Sequence, residues 1–136
     1  MKYEEEKTRL ADHLPNLHLS PWFPQNALLA DPRVTAFVTH AGYGSTIELA
    51  YQGKPAVLIP LFGDQTKNAH MLAKHGGSIV LKKTDLAKPR KLKESIDRVL
   101  RDPSYAQNAT RLADMLRNQP ISPKELLTSH CEFAAK

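Results

Sequence analysis

Short apolar runs separated by turn residues divide the first part of the chain into alternating strands and helices. The runs expected to form strands lie at residues 16–19, 34–39, 56–59 and 78–81. Those at 34–39 and 56–59 are apolar or β-branched, which is typical of strands buried in a parallel sheet. Helical segments are expected at 24–30, 45–52 and 64–74. This alternation predicts an α/β fold, a parallel sheet with crossover helices.

From residue 82 onward the apolar pattern is only helical. The Asp102-Pro103 pair separates two stripes at helical spacing. The first stripe contains Leu92, Ile96, Val99 and Leu100, and the second contains Tyr105, Ala109, Leu112, Ala113 and Leu116. A last helix is expected to begin at Pro123 and to turn Leu127, Cys131 and Ala134 inward.

The elements are expected to form one domain over residues 1–136, because no internal repeat or low-complexity tract interrupts them. In the second helix, Ile47, Ala50 and Tyr51 share one face, which we expect to be buried, and Gly53 is a suitable helix stop. In parallel sheets of this kind, ligands bind where strands end and loops lead into helix N-termini. Residues that contact a ligand are therefore expected directly after each strand.

Composition excludes several classes of protein. Apolar residues make up 41% of the chain and charged residues 24%, which is incompatible with wholesale disorder. No apolar run reaches the ~18 residues of a membrane-spanning helix. The single cysteine, Cys131, excludes an internal disulfide and any metal site built on several cysteines. His70 and His75 do not share a helical face, so no metal site is predicted.

The net charge of +5 leaves three classes of partner open: nucleic acid, an anionic membrane surface and an anionic small ligand. Much of the excess positive charge lies in residues 82–93. Such a segment is typical of a solvated loop and helix start, but it could also form a basic surface. A nucleic-acid-binding module is therefore kept as an alternative.

A glycine-containing turn follows the strand at 34–39 and leads into a helix with hydroxyl residues at its start. Helix N-termini carry unpaired N–H groups and partial positive charge, so they attract phosphate. Gly42 and Gly44 let the backbone approach an anion, and Ser45 adds a hydroxyl donor. The structural alternative is that the glycines only turn the chain and Ser45 only caps the helix. Neither the dinucleotide fingerprint nor the P-loop pattern is present.

Two side chains next to this turn could contact a nucleotide. His40 directly follows the strand and could donate to a phosphate oxygen, or it could be held by a backbone partner. Glu48 lies one turn into the helix and could accept hydrogen bonds from the vicinal hydroxyls of a ribose, or it could be a surface residue.

An aromatic residue and a polar pair lie at other predicted loops. Trp22 is the only tryptophan, and Pro21 and Pro24 stiffen its loop, so its indole could stack on a base or fill the core. Asp64 and Gln65 follow the strand at 56–59 and offer adjacent donors and acceptors of the kind that a sugar requires.

In order and spacing, these blocks resemble the signature of UDP-glycosyltransferases. The blocks are Trp22-x-x-Gln25, then His40-x-Gly42-x-x-Ser45-x-x-Glu48, then Pro60-x-x-x-Asp64-Gln65. The stretch from Phe37 to Leu72, with Asn68-Ala69 after the last block, is most similar to the animal UDP-glucuronosyltransferases. The resemblance implies a GT-B fold of two Rossmann-like halves, of which this chain would be the C-terminal, donor-binding half.

The resemblance also implies a role for each nucleotide-binding side chain. Trp22 would stack on uracil, Gln25 would contact the ribose, and Glu48 would hold the ribose hydroxyls. His40 and Ser45, with the backbone of Gly44, would hold the diphosphate.

At the sugar end, Asp64 and Gln65 would bind the hexose of UDP-glucuronate or UDP-glucose. Tyr43 and Gly44 stand where plant members carry a tryptophan-asparagine pair, so the side-chain phosphate contact of those enzymes is not implied here. The family acts as an inverting transferase on small lipophilic acceptors. No cofactor and no metal are expected.

The resemblance also implies segments of family members that lie outside this donor-binding half, namely an N-terminal half and a C-terminal membrane helix. The base that deprotonates the acceptor lies in the N-terminal half, so this chain alone is expected to bind donor without transferring sugar. The resemblance implies a lumenal domain at the endoplasmic reticulum membrane, anchored by a C-terminal helix absent here, and Asn108-Ala109-Thr110 matches a glycosylation sequon. The other interpretation is a detachable donor-binding subunit of a cytosolic two-subunit transferase, since no signal peptide is present.

Overall fold

A computed structural model describes residues 14–136 of the chain. Three parallel strands form one sheet in the order β1-β2-β3: β1 is Phe37–Thr39, β2 is Ala56–Leu58 and β3 is Ser78–Val80. The helices are α1 (Gln25–Ala30), α2 (Tyr43–Gln52), α3 (Gln65–Ala73), α4 (Pro89–Arg101), α5 (Pro103–Arg117) and α6 (Pro123–Ala134), with a 3₁₀ helix at Lys83–Ala87. The predicted parallel α/β architecture is therefore confirmed.

The central strand β2 is buried on both of its faces, because successive side chains of a strand point to opposite sides. Leu58 packs in a cluster with Leu29, Leu49 and Leu72 from α1, α2 and α3. Val57 points the other way. Its cluster is completed by Ile59, Leu81 and Val99, with Leu92, Ile96 and Tyr105 packed against it. Helices thus cover both sides of β2, which explains its unbroken apolar sequence.

Gly53 ends α2 as the sequence predicts, and it does so for two physical reasons. Its φ of +64° lies in the left-handed region, where a side chain is unfavourable. A Cβ at this position would also lie 3.0 Å from the Cβ of Ala113 and 3.3 Å from the Cα of Thr110. The glycine therefore lets α2 end directly against α5.

The prediction of a strand at residues 16–19 is wrong. Asn16 lies in a turn closed by a bond of 3.1 Å from Leu17 N to Leu14 O, and residues 17–19 have no strand partner within 14–136. β1 is also shorter than the run at 34–39 suggests, because Val34 N bonds to Asp31 O in a turn. A strand exists only where a neighbour offers a ladder, and an apolar run alone does not supply one.

The predicted buried face of α2 is partly wrong. The residues that are buried are Thr46, Leu49 and Ala50, whereas Ile47 is 38% exposed. Thr46 is tolerated in the core because its hydroxyl donates to the carbonyl of Gly42 at 3.0 Å. The helix also begins at Tyr43, two residues earlier than predicted.

The prediction that the last helix turns an apolar face inward is wrong as well. No residue of α6 is buried, and Leu127, Cys131 and Ala134 are all exposed. The helix is instead stabilised locally by the reciprocal bonds of Ser122 and Glu125 at its N-terminus. Leu100 of α4 is likewise half exposed, while the rest of its stripe packs as predicted.

None of the helices within residues 14–136 has both the length and the hydropathy needed to cross a bilayer.

We expect Gly53→Ala to lower the free energy of unfolding by roughly 2–4 kcal/mol, since it combines left-handed strain with overpacking against α5. Gly63→Ala is the matched control, because Gly63 has a φ of +61° but open space around its Cβ. Strain alone should cost that variant about 1 kcal/mol. Urea unfolding followed by circular dichroism measures both, and equal losses would show that the contact with α5 carries no energy.

Candidate functional site

Two loops with the candidate residues emerge at the same edge of the sheet. Thr39, the last residue of β1, is in register with Leu58, the last residue of β2. His40 to Gly42 follow the first strand, and Asp64 lies before α3 in the loop that follows the second. The parallel pairing therefore brings together segments that are more than twenty residues apart in sequence.

The loop after β1 presents a set of unpaired amides. The first hydrogen bond of α2 runs from Thr46 N to Gly42 O at 2.9 Å. The amides of residues 42–45 donate to no acceptor among residues 14–136. These are the groups that attract an anion at a helix N-terminus, and Gly44 lies among them with no atom within 4 Å of the position of a Cβ. An anion can therefore approach the backbone there.

The ring of His40 lies over Gly42. A Cβ on Gly42 would be only 2.7 Å from His40 Nε2, so a glycine is required for the ring to take this place. His40 itself is exposed at the end of β1. Its imidazole is thus next to the unpaired amides, on the solvent side of the loop.

Gln25 connects α1 to α2 through two hydrogen bonds. Its Nε2 donates to Ser45 Oγ at 3.0 Å and to Glu48 Oε2 at 2.8 Å. All three side chains are half-buried. The carboxylate of Glu48 is therefore held in one orientation and keeps its second oxygen for another donor.

Trp22 is 82% exposed, so it does not fill the core. Ser20 holds its loop by donating from Oγ to Trp22 O at 2.7 Å. The indole lines a cleft of about 690 Å³ together with Gln25 and Glu48. The other residues of this cleft are Pro21, Phe23, Pro24, Asn26, Ala27, Leu28, Leu29, Val34 and Phe37.

Asp64 and Gln65 differ in burial and in their hydrogen-bond partners. Gln65 is 5% exposed, and its Oε1 accepts from the amides of Leu61 and Phe62 at 2.8 and 3.2 Å. Its Nε2 has no partner within residues 14–136. Asp64 is exposed, and its Oδ2 accepts from Asn68 Nδ2 at 2.8 Å. One side chain thus shapes the loop, and the other faces solvent.

The structure places all nine predicted residues in two neighbouring groups. Trp22, Gln25 and Glu48 share the cleft, and Ser45 joins them through Gln25. The second group contains His40, Gly42, Gly44, Asp64 and Gln65, around the ends of β1 and β2.

Sequence reasoning did not assign a role to Asn68. This side chain is 7% exposed and donates both to Asp64 and to the carbonyl of Ala41. An asparagine four residues after Asp64 on a helix is the sequence signal that could have indicated the pair. Nothing in the sequence indicated that Ala41 has a positive φ of 63°.

The basic segment at 82–93 is partly neutralised within the fold. Asp85 is buried beside Lys91, whose Nζ lies 2.8 Å from its carboxylate, and the hydrogen bond from Lys91 is the main cause that lowers the pKa of Asp85. A second pair joins Lys93 to Asp97. This pattern favours a solvated, internally paired segment over a surface for nucleic acid.

Across residues 14–136, His, Cys, Asp and Glu side chains nowhere gather in threes that could hold a metal ion.

Comparison with known proteins shows which family this chain belongs to. The model of the family described as "UDP-glucoronosyl and UDP-glucosyl transferase" matches residues 2–136. The putative UDP-glucuronosyltransferase ugt-48 of Caenorhabditis elegans is 39% identical over 127 residues, which are 93% of this chain and 24% of that protein. Human UDP-glucuronosyltransferase 1A9 is 34% identical over 129 residues, or 95% of this chain and 24% of that protein. The chain thus spans about a quarter of the length of these relatives.

Solved glycosyltransferases share the fold. Spinosyn rhamnosyltransferase SpnG, solved as a complex with thymidine diphosphate, superposes with a TM-score of 0.70 at 26% identity. The match covers 79% of this chain and 28% of that one. The glycosyltransferase VinC, solved in complex with DTDP, matches with a TM-score of 0.78 at 24% identity, over 89% of this chain and 30% of that one. The fold is therefore that of one half of a GT-B glycosyltransferase, as predicted.

We expect Gly42→Ala to displace the ring of His40 while the fold remains intact, because the clashing atom is at the end of a rotatable side chain. The His40 ring resonances in NMR spectra should therefore shift. Gly44→Ala is the matched control: its methyl enters open space, so His40 should not respond and stability should rise by about 0.5 kcal/mol. Unchanged His40 resonances in both variants would contradict this packing.

Proposed function

The chain belongs to the family of UDP-glucuronosyl and UDP-glucosyl transferases, and on that premise we propose that it binds the nucleotide-sugar donor of an inverting UDP-glycosyltransferase. The donor is UDP-glucuronate or UDP-glucose, and the parent enzyme transfers the sugar to a small lipophilic acceptor. The proposal rests above all on the exposed Trp22 and on Glu48, which line one cleft, and on the hydrogen bond from Gln25 that orients the Glu48 carboxylate.

The cleft suits a nucleoside. Its volume of about 690 Å³ lies within the usual range of roughly 300–1,000 Å³ for small-molecule sites. Trp22 offers a face on which uracil stacks, and the free oxygen of Glu48 accepts from a ribose hydroxyl. Gln25 orients one of these two contacts, because its amide holds the Glu48 carboxylate in place before the ligand arrives.

The diphosphate then reaches the start of α2. Ser45 links the two parts of the site, since its Oγ already contacts Gln25 and its own amide is one of the unpaired donors. Gly44 leaves space for the phosphate, and His40 adds an imidazole donor from the strand end. Asp64 and the Nε2 of Gln65 are left for the hydroxyls of the sugar.

The chemistry that this arrangement serves is departure of UDP. An acceptor hydroxyl attacks the anomeric carbon, the bond from that carbon to the phosphate oxygen breaks, and negative charge develops on the diphosphate. Fixed amides and His40 stabilise that charge, and they act most strongly as the bond breaks. The base that takes the proton of the acceptor belongs to the N-terminal half of the parent enzyme, so the 136-residue chain should bind donor but not transfer sugar.

On the basis of family membership we also propose an N-terminal acceptor domain as partner, a lumenal site at the endoplasmic reticulum membrane, and a reaction without metal or cofactor. The nucleic-acid alternative is weakened because two of the basic residues on which it depends, Lys91 and Lys93, are paired with Asp85 and Asp97.

We expect UDP and UMP to change the fluorescence of Trp22 saturably, because a base that stacks on an indole quenches its emission. Since Trp22 is the only tryptophan, selective excitation reports on this residue alone. Ribose 5-phosphate carries no base and should have no effect. Trp22→Leu should retain the fold, because the side chain is 82% exposed, and should lose about 1–3 kcal/mol of UDP affinity. Unaltered emission at saturating UDP would contradict the proposed function.

We expect Glu48→Gln to weaken UDP binding more than binding of 2′,3′-dideoxy-UDP. The glutamine oxygen can still accept from Gln25, so the network persists while the charged acceptor for ribose hydroxyls is lost. The loss for UDP should be about 1.5–3 kcal/mol in a calorimetric titration. Equal losses for the two ligands would remove the ribose role of Glu48.

A further inference from the structure

Asn68 connects the two loops that form the proposed donor site. It lies in the first turn of α3 and is 7% exposed. Its Nδ2 donates to Asp64 Oδ2 at 2.8 Å and to the carbonyl of Ala41 at 3.3 Å. One amide group therefore contacts the loop after β1 and the loop after β2.

The contact with Ala41 falls on an unusual backbone position. Ala41 is fully buried and has a φ of 63°, the only positive value of a non-glycine residue within 14–136. This conformation is unfavourable for an alanine and persists only where its surroundings hold it. The buried hydrogen bond to its carbonyl supplies such a restraint.

That restraint reaches the unpaired amides through the geometry of the peptide. In a trans peptide the carbonyl of Ala41 and the N–H of Gly42 point in opposite directions. Because the carbonyl faces Asn68, the amide of Gly42 is directed away from α3. The carbonyl of Gly42 accepts from both the amide and the hydroxyl of Thr46, which fixes the start of α2. The amides of residues 43–45 lie in this first helical turn, so their orientation follows from that of Gly42.

The contact with Asp64 restrains the sugar end of the site. Oδ2 is occupied by Asn68, so the carboxylate keeps Oδ1 for a further donor. The backbone also joins these two residues, from Asn68 N to Asp64 O at 3.0 Å. An ionised aspartate could not replace Asn68 here, since both acceptors need a donor and an ionised carboxylate has none.

We propose that Asn68 is a positioning residue, which aligns the amides of the loop after β1 with Asp64 so that diphosphate and sugar of one donor bind together. The inference rests on the proposed function and adds a determinant of phosphate recognition that contacts no ligand itself. It predicts that loss of the Asn68 amide weakens the contacts to the diphosphate and spares those to the nucleoside.

The test compares affinities of the 136-residue chain for UDP and for uridine, both followed by Trp22 emission. Asn68→Asp should lower the affinity for UDP about tenfold and leave that for uridine within about twofold, because uridine uses only Trp22, Gln25 and Glu48. Asn108→Asp is the matched control. Its Nδ2 also donates to a backbone carbonyl, that of Gly76, but away from the site, so the ratio of the two affinities should not change.

A double variant separates the two contacts of Asn68. Asp64→Asn together with Asn68→Asp restores the bond between the two side chains with its direction reversed, yet leaves Ala41 O without its donor. We expect the double variant to regain stability in urea and still bind UDP about tenfold more weakly. If Asn68→Asp alone does not fold, the double variant still tests the positioning role. The change at Asp64 does not itself affect the comparison, because neither UDP nor uridine contains the sugar that Asp64 would contact.

The outcomes are distinct. The positioning role is overturned if the double variant keeps the wild-type ratio of UDP to uridine affinity, whether both affinities are unchanged or both fall equally. If the wild-type chain binds uridine and UDP equally, the phosphate part of the proposed function fails before any variant is considered. A loss confined to UDP in both Asn68 variants supports the inference.

Discussion

Backbone hydrogen bonds from Phe37 N to Pro55 O and from Ile59 N to Thr39 O join β1 to β2 and set where both strands end. Parallel pairing places the two ends at one edge of the sheet, and each strand then leads into a helix. The unpaired amides of α2, the ring of His40 and the carboxylate of Asp64 all depend on that alignment. A slip of one residue would reverse the faces of β2 and remove Leu58 from its cluster.

The loops that follow are restrained by side chains rather than by the sheet. Gln25 connects α1 to α2 at the nucleoside end, and Asn68 connects the loop at Ala41 to Asp64 at the sugar end. Both residues use a neutral amide nitrogen that donates to two acceptors. Such a donor fixes acceptors without neutralising them, so Glu48 and Asp64 each keep a charged oxygen for a ligand.

Much of this fold could be predicted because its signals are local. The apolar run of β2 is buried on both faces, and Gly53 ends α2 in the left-handed region. The errors concern properties that depend on distant partners. Residues 16–19 have side chains typical of a strand, but within residues 14–136 no neighbouring strand pairs with them. The apolar stripe on α6 likewise does not reveal whether another element covers it. The candidate residues were found from their order and spacing, whereas the link from Asn68 to Ala41 exists only after the two loops meet.

Ala41 is a suitable residue at this position despite its unfavourable backbone conformation. A glycine there would adopt the positive φ more easily, but it would leave the buried site of the alanine methyl, which is 0% exposed, without packing. A larger residue would have to displace its neighbours, because the alanine is already fully buried. The strain is offset by burial and by the bond from Asn68, so the loop is held in one conformation before any ligand binds. A rigid loop loses little conformational entropy when an anion arrives, and binding energy can then serve departure of the diphosphate.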